Sequence, residues 1–529
     1  MKAAFHTLGC KVNQYETEGM IEQFKARGFE IVSEEDFADV YVINTCSVTN
    51  LADRKSRQYI RRMKKVNPDA IVAVTGCYAQ IDGEKIYALD EVDIVVGMNE
   101  KHLIIDYVQR FIKECGSEEP SPCDADKDYC HVLPYGALTE YVETGAIVSM
   151  EARTRAYIKV QEGCNRFCSY CIIPYARGKA RSRKVENVVQ EAKGLIQAGF
   201  KELILTGINT ALFGCEEGFD FERCAGEEGL EGIEILIKRI NEIPGDFRIR
   251  LSSLEPTVIN AEYVKRLFKY DKLCHHLHLS IQSGNNKIID SMNRHYDREG
   301  YMEIVRALKG FDPNYGITTD IIVGFPGEDE DDFLDSLDIV KRAGFCKVHV
   351  FQYSKRPGTK ACELSGHLSG PVKKERSEKL IALSEEMTRE FLKANLGSVR
   401  RVLLEEDGAG YTDNYIRVYT DFDGNSFEKG KKPSSEKYLH AEIYKKRPDV
   451  NFIIHVHAPY LSSFASAGKD LMAPIMAENV FKKSFDFTED FEDDKMLFEQ
   501  VMENQIKSFD VEVENGQEVT LTYLGFFKN

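Results

Sequence analysis

The 529-residue sequence predicts an α/β protein, with an amino-terminal parallel sheet followed by an open or partial barrel of βα repeats. Two observations predict it. Short apolar runs alternate with helical patterns through the first third of the chain, and a second set of strand-like and helical runs fills the middle. A third observation limits it, because the alternation stops near residue 420.

Taken in order, the first third predicts strands at Ala3–Leu8, Val40–Asn44, Ile71–Thr75 and Asp93–Val96, with helices at Glu16–Arg27 and at the basic stretch Asp53–Lys65. Strands alternating with helices imply parallel pairing, so residues 1–145 are expected to form a Rossmann-like domain. Residues 116–130 are polar and acidic and read as a loop. The second set predicts strands at Tyr157–Gln161, Glu202–Thr206, Arg248–Ser252, His276–Ile281, Thr318–Val323 and Lys347–Tyr353. Val185–Ala198 and Asp331–Ala343 are among the helices between them. These βα repeats suggest a partial TIM barrel over residues 146–396, with its chemistry at the carboxyl ends of the strands. A long charged helix, Val372–Asn395, precedes two strand-like runs, Val399–Glu405 and Tyr415–Tyr419.

No run of eighteen apolar residues appears, and the amino terminus lacks the basic and apolar regions of a secretory signal. A cytoplasmic location is expected. The net charge of −17 argues mildly against a nucleic-acid partner, but the charge is segregated. Arg153 to Lys184 is rich in Lys and Arg with Glu162 as its one acid, whereas Phe481 to Asn529 is strongly acidic. Each basic run reads equally well as a solvated helix face.

The chain has fourteen cysteines, which in a cytosolic enzyme more often bind metal or do redox chemistry than form disulfides. Cys164, Cys168 and Cys171 follow the first strand of the second domain with the spacing C-x3-C-x2-C. Three thiolates on a cubane of four irons leave one iron without a protein ligand, free to chelate S-adenosylmethionine. Zinc would need a fourth Cys or His close by, and none lies in this loop. Cys10, Cys46 and Cys77 are far apart in sequence, yet each sits just past a predicted strand. Strand ends gather along one edge of a parallel sheet, so these three thiols are able to meet and hold a second cluster. The plainer alternative is three unrelated buried cysteines. Cys115, Cys123, Cys130, Cys215, Cys224, Cys274, Cys346 and Cys362 read as structural or loop residues.

Together these features resemble the methylthiotransferase family of radical S-adenosylmethionine enzymes. The resemblance rests on TLGCKVNQ (7–14), NTC (44–46) with Arg54–Arg57, GC (76–77) and the loop GCNRFCSYCIIPYARGKARSR (163–183). It continues through LTGIN (205–209), SSLEP (252–256), HLSIQSG (278–284), MNRHY (292–296) and DIIVGFPGE (320–328). It covers about residues 1–419, and the opening motif looks most like the branch acting on threonylcarbamoyladenosine beside the tRNA anticodon. The alternatives inside the family are isopentenyladenosine in tRNA and a ribosomal protein side chain.

The resemblance implies two [4Fe-4S] clusters, at Cys164, Cys168 and Cys171 and at Cys10, Cys46 and Cys77. One S-adenosylmethionine supplies an adenosyl radical that takes hydrogen from C2 of the adenine. The cluster at Cys10, Cys46 and Cys77 carries or delivers the sulfur, and a second S-adenosylmethionine supplies the methyl group. An electron donor such as flavodoxin or ferredoxin, a sulfur source and a monomeric chain are expected with it. Gly207, Asn209, Ser253, Glu255, Gln282, Ser283 and Arg294 are candidates for holding S-adenosylmethionine, against packing or turn roles. Gly324, Pro326 and Gly327 are expected to shape a turn near the adenine. Arg177, Lys179, Arg181 and Arg183 are candidates for contacting RNA phosphates.

Residues 397–420 resemble the start of a TRAM domain, a small RNA-gripping barrel whose remaining strands do not follow. Residues 421–460 instead resemble class II aldolases, and the likeness fades by about residue 477. That family's zinc ligands match Glu436, His455 and His457 here, and His-x-His on a strand puts both rings on one face. The usual later histidine is missing, so a weak zinc site is the most that this aldolase-like α/β tail suggests, and a working aldolase is not expected. A fusion with weakened RNA grip and compromised activity is the competing reading of the whole chain.

Overall fold

The computed structural model describes residues 1–115, 129–143, 154–219, 230–405, 409–419, 453–456 and 522–525. The chain divides into two compact units, Met1–Val418 and Tyr419–Asn529.

The first unit begins with β1 (Lys2–Thr7), α1 (Lys11–Ala26), β2 (Glu30–Val32), β3 (Val40–Thr45), α2 (Asn50–Val66), β4 (Ile71–Gly76), α3 (Cys77–Tyr87), β5 (Ile94–Val96), α4 (Ile104–Cys115) and β6 (Cys130–His131). The strands pair in the parallel order β2-β1-β3-β4-β5-β6. Every residue of β3, VYVINT, is buried, as expected of a central strand covered on both faces. Ile60 and Met63 of α2 pack with Tyr78 and Ile86 of α3 on one face, and Met20 and Phe24 of α1 pack with Ile104 and Val108 of α4 on the other. The apolar residues on each helix recur at the spacing that builds one sticky stripe. Thr49 starts α2 by accepting the Ala52 N–H at 3.2 Å.

The barrel follows with β7 (Arg155–Glu162), α5 (Ile173–Arg177), β8 (Arg181–Ser182), α6 (Val185–Gln197), β9 (Glu202–Gly207), β10 (Arg248–Leu251), β11 (Ser253–Leu254), β12 (His276–Leu279), β13 (Gly316–Val323) and β14 (Lys347–Gln352). Its two sheets have the orders β10-β9-β7-β8 and β11-β12-β13-β14. One stretch of chain, interrupted at Ser252, supplies both β10 and β11 and so hands one sheet over to the other. Among the described residues β14 pairs only with β13, so the arc of parallel strands stays open. Alternation sorts its side chains: Ala156, Ile158, Val160, Leu277, Leu279, Ile317 and Ile321 face the covering helices in one apolar core. The alternate residues, among them Lys159, His276, His278, Thr318 and Asp320, take the inner face.

After the helix Gly370–Ala394 come β15 (Val402–Leu404), β16 (Ala409–Thr412) and β17 (Arg417–Tyr419), a three-stranded sheet. Arg248 and Arg250 tie it to the amino-terminal ends of the barrel strands, donating to the carbonyls of Tyr411 at 2.8 Å and Thr412 at 3.0 Å. In the second unit, β18 (Ile453–Val456) and β19 (Thr522–Gly525) form a parallel pair. His455 lies on β18. Glu436, His457, Cys123 and Cys224 lie outside the described residues. No helix among the described residues is long and apolar enough to cross a membrane.

Candidate active site

Three neighbouring strands of the amino-terminal sheet end side by side, with Thr7 opposite Asn44, Asn44 opposite Thr75 and Thr45 opposite Gly76. Cys10, Cys46 and Cys77 leave these ends in turn, and Cys10 and Cys77 each open a helix. The approach depends on glycine at two positions. A Cβ at Gly9 (φ +115°) would stand 2.9 Å from the Cys46 Cβ, and one at Gly76 (φ +104°) only 2.3 Å from the Thr45 carbonyl oxygen. Asn13 holds two of the loops together, its Nδ2 donating to the carbonyls of Leu8 at 2.7 Å and Thr45 at 3.0 Å. Burial pushes the Cys46 thiol up to about 12, and the neighbouring Cys77 and Cys10 add to the shift.

The second triad sits in the loop after β7. Gly163 (φ +71°) lies so close to the Lys179 carbonyl that a Cβ would be 1.9 Å from its oxygen. The loop is braced from the segment after β12: Asn293 donates to the Phe167 carbonyl at 3.0 Å, and the Ser169 N–H donates to Met292 at 2.9 Å. Burial pushes the Cys164 thiol up to about 11, and Cys168 adds to the shift. Cys171 is also raised, by burial first and then by Cys168 and Cys164. Within each triad the thiols are therefore electrostatic neighbours. Among the described residues no three His, Cys, Asp or Glu side chains gather around a single metal ion. A cubane asks for a wider triad than that, because each thiolate binds a separate iron.

Asn209, Glu255 and Arg294 converge beside Cys168. Arg294 reaches the Cys168 Sγ at 3.2 Å and Glu255 at 3.2 Å, and Asn209 Nδ2 donates to Glu255 at 2.6 Å. Arg166, which the sequence reading did not single out, joins them with 2.9 Å to Glu255. Asn209 Oδ1 is buried with no hydrogen-bond partner among the described residues, as suits a site awaiting a ligand with amine or hydroxyl donors. Gly207 packs against Gln161, whose Oε1 accepts the Asn209 N–H at 2.9 Å. Gln282 adopts φ +69° and hydrogen-bonds β13 through its backbone, accepting from the Ile322 N–H at 2.9 Å. Ser253 lies on β11, where its carbonyl accepts from Thr210. Ser283 is fully buried and its hydroxyl accepts the Asn285 N–H at 3.3 Å.

The basic run after the loop needs correction. Arg177, Arg181 and Arg183 do not face outward to RNA phosphate; all three are buried, and only Lys179 is exposed. Arg183 pairs with Glu143 and Glu191, and Arg181 donates to the Leu138 carbonyl at 2.6 Å. Arg177, fully buried, crosses from α5 to the amino-terminal sheet. Its Nε lies 3.3 Å from the Cys77 Sγ, and its other nitrogens reach Glu162 at 2.7 Å, Glu16 at 3.1 Å and Asn13 at 2.5 Å. Lys101 and Lys159 complete the cluster, at 2.5 Å and 2.7 Å from Glu16. Burial alone would raise the Glu16 carboxyl, but Arg177, Lys101 and Lys159 hold it well below the usual range. The signal was present in Glu16 and Glu162, acids placed beside cysteine motifs, but nothing in the sequence pairs them with Arg177.

Comparison with known proteins agrees with this geometry. Residues 2–97 match a model described as uncharacterized protein family UPF0004, residues 158–340 match the radical SAM superfamily, and residues 413–513 match the class II aldolase and adducin N-terminal domain. The threonylcarbamoyladenosine tRNA methylthiotransferase MtaB of Bacillus subtilis is 41% identical over 78% of this chain and 89% of its own length. The Aquifex aeolicus protein of the same name is 39% identical over 79% and 96%. A tRNA-2-methylthio-N(6)-dimethylallyladenosine synthase of Clostridium perfringens is 32% identical over 75% and 85%. With two thiol triads at strand ends and this identity across most of each relative's length, the chain belongs to the methylthiotransferase family of radical S-adenosylmethionine enzymes, and is a tRNA-modifying member that uses [4Fe-4S] clusters and S-adenosylmethionine.

Proposed function

We propose that the chain installs a methylthio group at C2 of N6-threonylcarbamoyladenosine at position 37 of tRNA. The observation that carries this reading is the 41% and 39% identity to two proteins named for that substrate, extending over nearly their whole length. Cys164, Cys168 and Cys171 would hold the cluster that binds S-adenosylmethionine, and Cys10, Cys46 and Cys77 the one that handles sulfur. When bound, these groups supply the adenosyl radical that takes hydrogen from C2 and the sulfur that replaces it. The chain's own residues position and shield: Asn209, Glu255 and Arg294 orient S-adenosylmethionine against Cys168, and Arg177 keeps the two thiol sites in fixed register. The reading also takes a flavodoxin or ferredoxin as electron donor, the cytoplasm as location, and domains at 1–145, 146–396, 397–420 and 421–529.

The 32% identity to a dimethylallyladenosine enzyme gives a second reading, with an apolar group on N6. Mass spectrometry of tRNA nucleosides, from cells with and without the gene, decides between them. Accumulation of unmethylthiolated threonylcarbamoyladenosine in the deletion is expected. Accumulation of the dimethylallyl nucleoside instead would overturn the first reading.

A further inference from the structure

The burial of Arg177, Arg181 and Arg183 leaves the grip on RNA to other residues, and α2 offers them. This helix carries seven Lys and Arg against one acid, Asp53, in a chain whose net charge is −17. The one acid is withdrawn from the surface: Asp53 is buried and ion-paired with Arg356 of the loop after β14. Ser56, Ile60 and Met63 turn inward with it. Arg61 and Lys65 stand two and three turns beyond Arg54 and share the opposite, exposed face, with Lys55 and Arg62 beside them. Arg54, Lys55 and Lys65 make no ion pair among the described residues. Arg61 and Arg62 meet Glu91 at 3.6 Å and Glu35 at 3.1 Å, but these pairs are open to water and hold the side chains weakly. Like charges one turn apart, as at Arg61 and Lys65, repel each other, and a polyanion laid along the row removes that repulsion.

The row is tied to both thiol sites. Its helix begins four residues after Cys46. Arg356 holds that beginning to the barrel by donating to Ser47, Asn50 and Asp53, and Asn50 donates in return to the Lys355 carbonyl at 2.9 Å. The same barrel loop reaches the other site, where the Ala361 N–H donates at 2.7 Å to the carbonyl of Ser169, between Cys168 and Cys171. Lys355 is itself exposed, so the cations continue from the barrel loop onto α2. At about 1.5 Å per residue, the row from Arg54 to Lys65 runs about 16 Å along the helix axis.

We propose that this face of α2 holds the sugar–phosphate backbone of the substrate tRNA, beside the nucleotide presented to the thiol sites, with Arg54, Arg61 and Lys65 on the phosphates. The inference rests on tRNA being the substrate, whichever adenosine derivative is modified. A line of guanidinium and ammonium groups suits a chain of phosphates: arginine forks onto phosphate oxygens, and each contact releases a counterion whatever the base sequence. An acidic electron-donor protein is the competing occupant.

The test uses the reconstituted full-length holoenzyme and a fluorescent anticodon stem-loop bearing threonylcarbamoyladenosine, with affinity read by anisotropy across a series of KCl concentrations. Arg54→Gln, Arg61→Gln and Lys65→Gln should each weaken binding roughly threefold to tenfold at low salt and reduce the slope of log affinity against log salt by up to about one. The triple variant should lower that slope by about two to three. Arg54→Lys should keep the wild-type slope, and Lys341→Gln, exposed on the helix Glu330–Ala343, should change neither affinity nor slope. Iron content is measured alongside, so that lost affinity with full iron reports the surface and not the fold. If the triple variant loses iron, the single variants decide by the same readings. Wild-type affinity and slope in the triple variant overturn the proposal. Intact RNA binding with slower reduction by flavodoxin gives the face to the electron donor and also overturns it, as does an equal loss of slope in Lys341→Gln. Product analysis keeps the substrate reading separate. Failure of the wild type to methylthiolate this RNA removes the proposed substrate, whereas methylthiolation with an unaltered slope in the triple variant removes only this face.

Discussion

Cys164, Cys168 and Cys171 lie within one loop, whereas Cys10, Cys46 and Cys77 are brought together from three strand ends by the register of a sheet. Each site nevertheless has a buried arginine on one sulfur, Arg294 at 3.2 Å from Cys168 and Arg177 at 3.3 Å from Cys77. The surroundings differ. Arg294 shares Glu255 with Asn209 and Arg166, polar groups suited to a ligand. Arg177 sits among Glu16, Glu162, Lys101 and Lys159, three cations against two carboxylates, with almost no exposure. A thiolate at Cys77 would offset the extra positive charge. The loop site is thus built to admit a small molecule, and the strand-end site to be locked in place by another domain.

The sharpest way to break this comparison is to remove one thiol from each site. Cys168→Ala and Cys77→Ala should both abolish methylthio product. From about eight irons per chain, each should fall to about four. They should differ in S-adenosylmethionine cleavage, lost in Cys168→Ala and retained in Cys77→Ala, as chromatography of released 5′-deoxyadenosine would read. Equal loss in both would mean that the two sites do not act separately.

The arginines give the next largest contrast. Arg177→Met takes a fully buried guanidinium from Glu16, Glu162 and Asn13 at once; Lys101 and Lys159 still neutralise the two carboxylates, so the loss should lie near the lower end of the about 3–5 kcal/mol that breaking a buried pair costs. Arg294→Met leaves Glu255 with Arg166 and Asn209, so it should cost less, about 1–3 kcal/mol. Denaturant midpoints measure both, and iron analysis should show Arg177→Met weakening retention at the strand-end site first. A cost for Arg294→Met equal to that of Arg177→Met would remove the distinction between a lock and a ligand shelf.

Glycine substitutions sharpen the geometric half of the comparison. Gly199 has φ +98° and nothing within 4 Å of where a Cβ would stand, so Gly199→Ala measures backbone strain alone, about 1–3 kcal/mol. Gly76→Ala and Gly163→Ala add a clash with a backbone oxygen and should exceed it by about 1–3 kcal/mol. Each should also deplete iron at its own site only. Iron loss at both sites from either change would show that the triads are not independently held.

The same contrast explains what could be read from sequence. The loop site was legible because its spacing is local, and the strand-end site because period-two apolar runs predict strands and parallel strands align their ends. Topology did the work for Cys10, Cys46 and Cys77. Charge did not transfer so well. Arg177, Arg181 and Arg183 read as an RNA-facing run because density of charge says nothing of burial, and their partners Glu16, Leu138, Glu143 and Glu191 lie elsewhere in the chain.

A titration remote from both thiol sites supplies the baseline against which these differences are judged. Asp312 lies at the amino-terminal end of β13, away from the strand ends that carry the thiols, and holds the three-stranded sheet through Arg400 at 2.8 Å and 3.0 Å. Burial works against its ionisation, yet hydrogen bonds from Arg400 and His275 hold its carboxyl down at about 2. A carboxyl lowered in the folded state contributes stability above its unfolded value near ~4, and that contribution is lost as pH falls through about 2. Because the group is partly solvated, the contribution is about 1 kcal/mol after screening. Asp312→Asn should therefore lower the denaturant midpoint slightly at neutral pH and flatten its decline on acidification, with iron at both sites unchanged at neutral pH. Selective iron loss from one site in this variant would mean that the barrel floor and that site are coupled, and the arginine and glycine contrasts would then have to be measured against a different reference.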